Sequence, residues 1–130
     1  MVLQGHEHSY GRMTGHDENN NPTTPVYTVS HCSPKTYRIY FGEDFDKFGI
    51  DGKYYQQIQV KGDTLLMHSF DAANGNLYDC IKIIKKNNQT EILDYGKDIP
   101  ENLNFSPAPD NKKDMEYMER IHEYKQRRGY

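Results

Sequence analysis

Residues 54–84, YYQQIQVKGDTLLMHSFDAANGNLYDCIKII, decide the fold of this chain. Side chains alternate along Tyr54–Val60, as expected for a strand with two different faces. A Lys-Gly-Asp turn leads into a second strand, Thr64–Phe70. Asn74-Gly75 is a strong hairpin signal because both residues tolerate a positive φ, and it leads into Leu77–Ile84. Three strands with tight connections predict an antiparallel meander.

The sequence before the meander gives weaker signals. Met1–Gln4 is typical of the end of a buried strand. Residues 11–25 are rich in Gly, Asn, Thr and Pro, which predicts a loop. Val26–Ser30 is predicted as a strand because of its β-branched residues. A second irregular stretch is predicted over residues 33–53, with a short turn of helix around Glu43–Phe48.

The sequence after the meander divides into two segments. Residues 85–110 are polar and contain three prolines, which predicts a linker or a surface wrap. The C-terminal segment, residues 111–130, predicts an amphipathic helix that starts at a cap formed by Asp110 or Asn111. Its apolar stripe, at spacings of three and four, consists of Met115, Met118, Ile121 and His122.

Composition limits the classes of function. The chain has 130 residues, of which 35% are hydrophobic and 27% are charged. We therefore expect one domain with a small hydrophobic core. A net charge of −3 gives no electrostatic footprint for nucleic acid, and no apolar run approaches the roughly 20 residues of a membrane span. Cys32 and Cys80 have no Cys-x-x-Cys spacing, which excludes a zinc ribbon or a thioredoxin motif. The sequence does not decide whether these cysteines are two buried thiols or form one disulfide.

The candidate functional residues lie in one short segment, Gly5-His6-Glu7-His8-Ser9-Tyr10-Gly11-Arg12. In an extended segment, residues i and i+2 point to the same side, roughly 6–7 Å apart. Two imidazoles placed in this way could share one ion, or each could serve one ion of a pair about 3.5–4 Å apart. Glu7 should point away from such metals, and Arg12 could face an anionic substrate. His-x-His also occurs by chance, so an incidental pair remains open.

The string from Val2 to Tyr10, followed by Arg12, closely resembles the last metal-ligand motif of the calcineurin-like phosphoesterases. Purple-acid-phosphatase-like members carry it in the form Gly-His-x-His-x-Tyr-x-Arg. Pro25–Ser30 and Ser33–Tyr37 are also similar to segments of that family. The resemblance covers about residues 1–84.

The resemblance implies an α/β fold, a two-sheet sandwich with helices outside, to which this α+β chain would contribute mainly antiparallel strands and the C-terminal helix. It also implies that His6 ligates one metal and His8 the other, with Zn, Fe and Mn all suited to imidazole. A metal-bound hydroxide would then attack a phosphomonoester or phosphodiester. Tyr10 and Arg12 would lie near the pocket rim, with Arg12 the candidate substrate contact. The family resemblance further suggests a periplasmic or extracellular location.

The family's other ligand motifs, among them Asp-x-His and Gly-Asn-His, precede the one that begins here at Gly5. We therefore expect that the N-terminal half of the phosphoesterase domain is a missing partner. We expect the chain by itself to be inactive, to bind metal weakly or not at all, and to self-associate. The rival interpretation is a non-catalytic β-rich binding or assembly module, and a third is a structural site for one metal. His16 and His31 are further candidates, since they lie in or beside loops that would flank the site.

Overall fold

The structure, a computed structural model, describes residues 1–35, 38 and 45–130. Within these residues it is a mixed α+β fold of two four-stranded sheets and a C-terminal helix. The strands are β1 Val2–Gln4, β2 Tyr10–His16, β3 Pro22–Val29, β4 Lys47–Gly49, β5 Tyr54–Lys61, β6 Thr64–Asp71, β7 Leu77–Lys86 and β8 Gln89–Asp94. The helix, α1, is Lys112–Arg128.

Two sequence predictions fall partly outside the described residues. Thr36 and Tyr37, in the segment that resembles the family, are among the residues not described. The same holds for Glu43 and Asp44, where the predicted turn of helix begins. The end of that predicted turn is wrong, because Lys47–Gly49 forms β4 and pairs with β2.

The predicted meander is confirmed as the first three strands of one sheet, whose order is β5-β6-β7-β8. Its neighbouring strands are all antiparallel. Both predicted turns contain a glycine in the left-handed region, Gly62 at φ 56° and Gly75 at φ 74°. Local turn chemistry therefore fixes the register of these strands.

The prediction of a linker over residues 85–110 is wrong in its first part. β7 continues to Lys86, and every residue of β8 pairs with β7. The turn between them is formed by Asn87 and Asn88, which have φ values of 52° and 59°. Two successive positive φ values match the twist of a tight hairpin, and Asn tolerates them.

The other sheet has the order β1-β3-β2-β4, and most of the loop predicted at residues 11–25 belongs to its strands. β2 and β3 are antiparallel neighbours, and only Asp17–Asn21 forms the connection. Asp17 Oδ1 accepts hydrogen bonds from the backbone N–H groups of Asn19 (2.9 Å) and Asn21 (2.8 Å). The turn-forming residues are therefore concentrated in five positions, and the Gly and Pro on either side sit inside strands.

β1 lies at the edge of its sheet, parallel to β3. Its three residues are exposed, with Val2 at 37% and Leu3 at 55%. The prediction that Met1–Gln4 ends a buried strand is therefore wrong for this chain. An apolar sequence is typical of a buried parallel strand, but among the described residues the side chains of Val2 and Leu3 are covered only in part.

The two sheets pack against each other through their inner faces. Val26 of β3 lies in one buried cluster with Met67, Ile81 and Ile83 of the meander sheet. A second cluster consists of the rings of Tyr10, Tyr54 and Tyr78, with centroids 4.5–5.3 Å apart. Aromatic rings therefore fill much of a core that has few aliphatic side chains.

The predicted helix is confirmed, and so is its cap. Asn111 Oδ1 accepts a hydrogen bond from the N–H of Asp114 (3.2 Å), and Gly129 ends the helix at φ 77°. The predicted stripe is only partly right, because Met115 is 55% exposed and His122 is also exposed. The buried face consists of Asp114, Tyr117, Ile121 and Tyr124, and it packs on Phe48, Ile50 and Leu103.

Both cysteines are free thiols, Cys80 buried and Cys32 exposed, so no disulfide joins the sheets. Across the described part of the chain, no helix has both the length and the apolar character that crossing a bilayer requires.

Candidate functional site

Residues 5–9 connect β1 to β2 by crossing the end of β3. This path follows from the topology, because β1 and β2 lie on opposite sides of β3 and run in opposite directions. The segment is bent at residues 6–9, so the extended geometry predicted for the His-x-His pair is wrong. The residue in the left-handed region is His6, at φ 80°, and not Gly5.

The crossing places His6 and His8 at the carboxyl ends of the two parallel strands. His6 is exposed and His8 is half-buried. The His8 Nδ1 atom is hydrogen-bonded to the backbone carbonyl oxygen of Lys35. Because a carbonyl oxygen can only accept, Nδ1 carries a proton, so in the neutral form of the ring the lone pair is on Nε2.

His31 is brought against His8 by the same crossing. It follows β3 by two residues, and its ring stacks on that of His8 with centroids 5.1 Å apart and planes at 17°. Its backbone carbonyl accepts a hydrogen bond from the N–H of Tyr54 (2.9 Å), which fixes this segment to the start of β5. Of the two flanking candidates from the sequence, the structure therefore brings His31 to the pair.

The ring of His31 has an unusual environment. Both of its nitrogen atoms are buried, and a weak hydrogen bond to the backbone of Gly52 raises the pKa of the ring by less than the other causes lower it. Burial, and then the nearby His8, lower the pKa of His31 below its ordinary value. A neutral imidazole, with one nitrogen lone pair available, therefore dominates near neutral pH.

The donor atoms of His6 and His8 fit the metals that the family resemblance implies, but they are too few. Imidazole suits Zn, Fe and Mn alike, and a ligating His commonly donates its other N–H to a backbone carbonyl, as His8 does. No group of three or more His, Cys, Asp or Glu side chains close enough to hold a metal was found among residues 1–35, 38 and 45–130. Since zinc sites use at least three protein ligands, a complete site needs further donors.

Arg12, the predicted substrate contact, lies between the sheets and is 1% exposed. Its Nε donates to Oδ2 of Asp79 (2.7 Å), and one terminal nitrogen donates to Oδ2 of Asp94 (2.7 Å). Burial would lower the pKa of Arg12, but the two carboxylates outweigh it and raise the pKa. A substrate contact through Arg12 stays a prediction, and here its guanidinium joins β2 to β7 and β8.

Tyr10 belongs to the same interior network rather than to an exposed rim. It is fully buried, and its hydroxyl donates to Oδ2 of Asp79 (2.7 Å) and lies 3.1 Å from Oγ of Ser69. Burial, and then the charge of Asp79, raise the pKa of Tyr10 well above its ordinary value. The acidic residue Asp79 in the mainly apolar strand Leu77–Ile84 was the available signal for this network, since a buried Asp requires a charged or hydrogen-bonding partner.

Lys47 adds a second buried cation beside Arg12. Its Nζ donates to the backbone carbonyls of Gly96 (2.9 Å) and Ile99. Burial lowers the pKa of Lys47 below the ordinary value of a lysine. Through these two hydrogen bonds Lys47 links β4 to the segment that follows β8, so its role, like that of Arg12, is structural.

His16 lies away from the crossing, at the far end of β2. Six residue steps separate it from Tyr10, which is about 20 Å along a strand. It borders a pocket of about 450 Å³ whose lining includes Arg128 at the end of α1. The pocket is lined by Met13, Thr14, Gly15, His16, Asn20, Tyr27, Phe45, Asp46 and Arg128.

Comparisons of the chain with protein-family models, curated proteins and solved structures found no match. The family interpretation therefore rests on the resemblance of residues 1–84 stated above, and above all on the motif at Gly5–Arg12.

Proposed function

We propose that this chain is the C-terminal portion of a dinuclear-metal phosphoesterase, to which it contributes His6 and His8 as metal ligands. The observation that carries the proposal is the position of both residues at the carboxyl ends of the parallel strands β1 and β3. In open α/β sheets, ligands bind in the crevice outside the carboxyl ends of parallel strands. The sheet here is mixed, with β1 and β3 as its parallel pair, and by analogy the position of the motif residues at the carboxyl ends of that pair supports a ligand site.

The two metals, when bound, would supply a hydroxide nucleophile and Lewis-acid stabilisation for hydrolysis of a phosphomonoester or phosphodiester. The chain's own part is to present imidazole nitrogens in a fixed orientation. The Lys35 carbonyl accepts a hydrogen bond from Nδ1 of His8, so Nε2 would be the ligating atom. His6, exposed and held at a positive φ, would serve the second metal.

The remaining ligands would come from the N-terminal half of the domain, joined at β1. Val2 and Leu3 are exposed on opposite faces of this edge strand, although parallel strands are normally buried on both faces. The edge also lacks the Lys, Pro or bulge that protects many free edges. A further strand beside β1 would cover these side chains and bring new ligands to the same sheet end.

Two tests follow. The reading frame upstream of Met1 is expected to encode in-frame Asp-x-His and Gly-Asn-His motifs, and their absence would argue against the proposal. The isolated chain is expected to hydrolyse p-nitrophenyl phosphate and its bis-ester no faster than background with Zn, Mn or Fe added. Metal-dependent turnover that His6→Ala abolishes would show that the chain already holds a complete site.

A second candidate function is a non-catalytic β-rich binding or assembly module in which the His pair is incidental. It is favoured by the way α1 packs on Phe48, Ile50 and Leu103 of its own chain, and by the burial of Arg12 in an internal network. Light scattering after size-exclusion chromatography separates the two candidates. The phosphoesterase portion is expected to self-associate at micromolar concentration through β1, whereas an independent module would run as a monomer.

A further inference from the structure

We propose that the free edge of β5 pairs with the same edge of a second copy of this chain, antiparallel and about a two-fold axis at Ile58. β5 is an outer strand of the meander sheet, and with eight residues it is the longest of the four outer strands in the described part of the chain. This surface is separate from the edge at β1, and the pairing does not require the proposed phosphoesterase function.

The hydrogen bonds at the start of β5 show which backbone groups face the free edge. Tyr54 donates its N–H to the carbonyl of His31 (2.9 Å), and its own carbonyl accepts from Oγ of Ser30 (3.3 Å). Both partners lie outside the meander sheet, so the groups of Tyr54 point away from β6. The carbonyl of Lys53 points the other way, since it accepts from the N–H of Ala72, which follows β6 (2.8 Å).

Because backbone groups alternate in direction along an antiparallel strand, those of Gln56, Ile58 and Val60 face the same free edge as those of Tyr54. Residues 1–35, 38 and 45–130 supply no backbone hydrogen bond to these three N–H and three C=O groups outside the strand pairing. β5 contains no proline and pairs with β6 without a bulge, so it lacks two devices that protect free edges. Ile58 is 37% and Val60 70% exposed.

The central position of Ile58 in this row selects one register. With Ile58 opposite Ile58 of the second copy, Gln56 of each copy opposes Val60 of the other, and all the free groups of the row are paired. A shift of two residues in either direction leaves some of them unpaired, because Tyr54 is already bonded and β5 ends at Lys61. The free edge is therefore complementary to itself, as a two-fold interface requires.

Charge complementarity favours the same register. Lys53 and Asp63 lie at equal distances on either side of Ile58 in the sequence, so each comes next to the other residue of the second copy. Both side chains are exposed. A shift of two residues toward Tyr54 would instead bring Lys53 next to Lys61. Opposite charges across strands are stabilising and like charges are destabilising, which argues for a second copy in the register centred on Ile58.

The contact of one strand with one strand is small. Interfaces that bury less than about 1,200 Å² are typical of weak, transient complexes, and we expect a Kd on the order of 100 µM for this pairing. Association at micromolar concentration therefore reports on β1, and the β5 pair forms only in more concentrated solution.

Disulfide trapping tests the register. Ile58→Cys and Val60→Cys are each made with Cys32→Ser, which removes the exposed native thiol, and are oxidised with diamide at about 100 µM chain. The two Cα atoms at position 58 would be about 5.5 Å apart, as in a hydrogen-bonded pair, which lies within the range of about 4.4–6.8 Å for a disulfide. The two Cα atoms at position 60 would be about 14 Å apart, because four residue steps separate them along the strand.

We expect the disulfide-linked dimer to form at least tenfold faster in Ile58→Cys than in Val60→Cys. Random collisions would favour Val60→Cys instead, since that position is the more exposed. Equal rates, or a faster reaction in Val60→Cys, would overturn the proposal.

Sedimentation equilibrium up to millimolar concentration supplies a second test, in a parent chain that carries Leu3→Lys so that the β1 edge is charged and only β5 is measured. Ile58→Lys should weaken dimerisation at least tenfold, because it places two ammonium groups side by side at the axis. Leu77→Lys is the matched control, since Leu77 is 38% exposed on β7, and it should dimerise as the parent does. Circular dichroism confirms that each variant is folded.

The charge pair is tested by exchange. Lys53→Glu should weaken dimerisation, and the double variant Lys53→Glu with Asp63→Lys should restore it. A parent chain that stays monomeric at millimolar concentration, or one whose dimer is unaffected by Ile58→Lys, would overturn the proposal. The phosphoesterase proposal stands or falls separately, because its tests are the upstream reading frame, metal-dependent hydrolysis and association through β1.

Discussion

Nε of Arg12 lies 2.7 Å from Oδ2 of Asp79, and neither side chain is more than 1% exposed. The two residues are 67 positions apart and belong to different sheets. Their ion pair therefore links β2 to β7 across the core. Removing one member of such a pair leaves an uncompensated buried charge, which is the costly case for an internal ion pair.

Asp79→Ala is expected to lower the free energy of unfolding by about 3 kcal/mol, because Arg12 loses its fully buried partner and keeps Asp94, and because the Tyr10 hydroxyl loses its carboxylate acceptor. Urea denaturation followed by circular dichroism measures the change. The exposed Asp98 supplies the control, and Asp98→Ala should have no measurable effect. A double variant, Arg12→Met with Asp79→Leu, should recover most of the loss, since apolar pairs often replace buried ion pairs without cost. Wild-type stability in Asp79→Ala would contradict the structure of the network.

The buried tyrosines predict a loss of stability at high pH. Burial is the first cause that raises the pKa values of Tyr10, Tyr54 and Tyr78. In the unfolded chain these phenols ionise near pH 10, about the reference value. The folded state therefore binds more protons above that pH, and its stability falls as pH rises through about 10.

Absorbance at 295 nm measures tyrosinate formation directly. A subset of the eleven tyrosines should ionise only together with unfolding, and all eleven should titrate together in guanidinium chloride. Tyr10→Phe should reduce the dependence of stability on pH above pH 10. Normal titration of all eleven phenols in the folded chain would contradict the burial of this cluster.

Ile121→Ala is expected to destabilise the chain by about 2–5 kcal/mol, the usual cost of truncating a large aliphatic side chain in a core. Ile121 is 2% exposed and packs among Phe48, Tyr117 and Tyr124. Met115→Ala is the matched control on the same helix, and with Met115 at 55% exposure its effect should stay within about 0.5 kcal/mol. Equal effects of the two substitutions would instead support the stripe predicted from the sequence.

In the turn between β7 and β8, two substitutions of Asn88 are expected to change stability in different directions. Asn88 has φ 59°, so Asn88→Val should cost about 1 kcal/mol or more, because a β-branched residue is strained in the left-handed region. Asn88→Gly should be neutral or slightly stabilising, since Asn-Gly is a preferred pair for this turn. Thermal denaturation of both variants measures the difference, and an equal melting temperature would contradict the observed turn.

Much of the fold could be predicted because its signals are local. The meander follows from alternation and from turns that contain Gly62 and Gly75, and α1 follows from its spacing and its cap at Asn111. β8 was missed because Asn87-Asn88 is a weaker turn signal than Asn-Gly and because the strand is polar. The helix stripe was misplaced because Tyr117 and Tyr124, which bury most of their surface, were not counted as apolar.

The candidate site was predictable only in part, for a related reason. The motif places His6 and His8 two positions apart in the sequence, so the pair could be identified from the sequence alone. The contact of His8 with His31 and the burial of Arg12 against Asp79 depend on strand order. No local pattern encodes that order, so long-range partners of this kind appear only in the folded chain.

The most direct test of the proposed function joins this chain to the polypeptide encoded upstream of Met1, in which the proposal expects the Asp-x-His and Gly-Asn-His motifs. Metal-dependent hydrolysis of bis-p-nitrophenyl phosphate is then measured with Zn, Mn or Fe. We expect turnover in the extended polypeptide, a loss of roughly a thousandfold or more in His6→Ala and in His8→Ala, and full activity in the control His68→Ala. An extended polypeptide that is inactive with every metal, or one that keeps its activity in His6→Ala, would contradict the account.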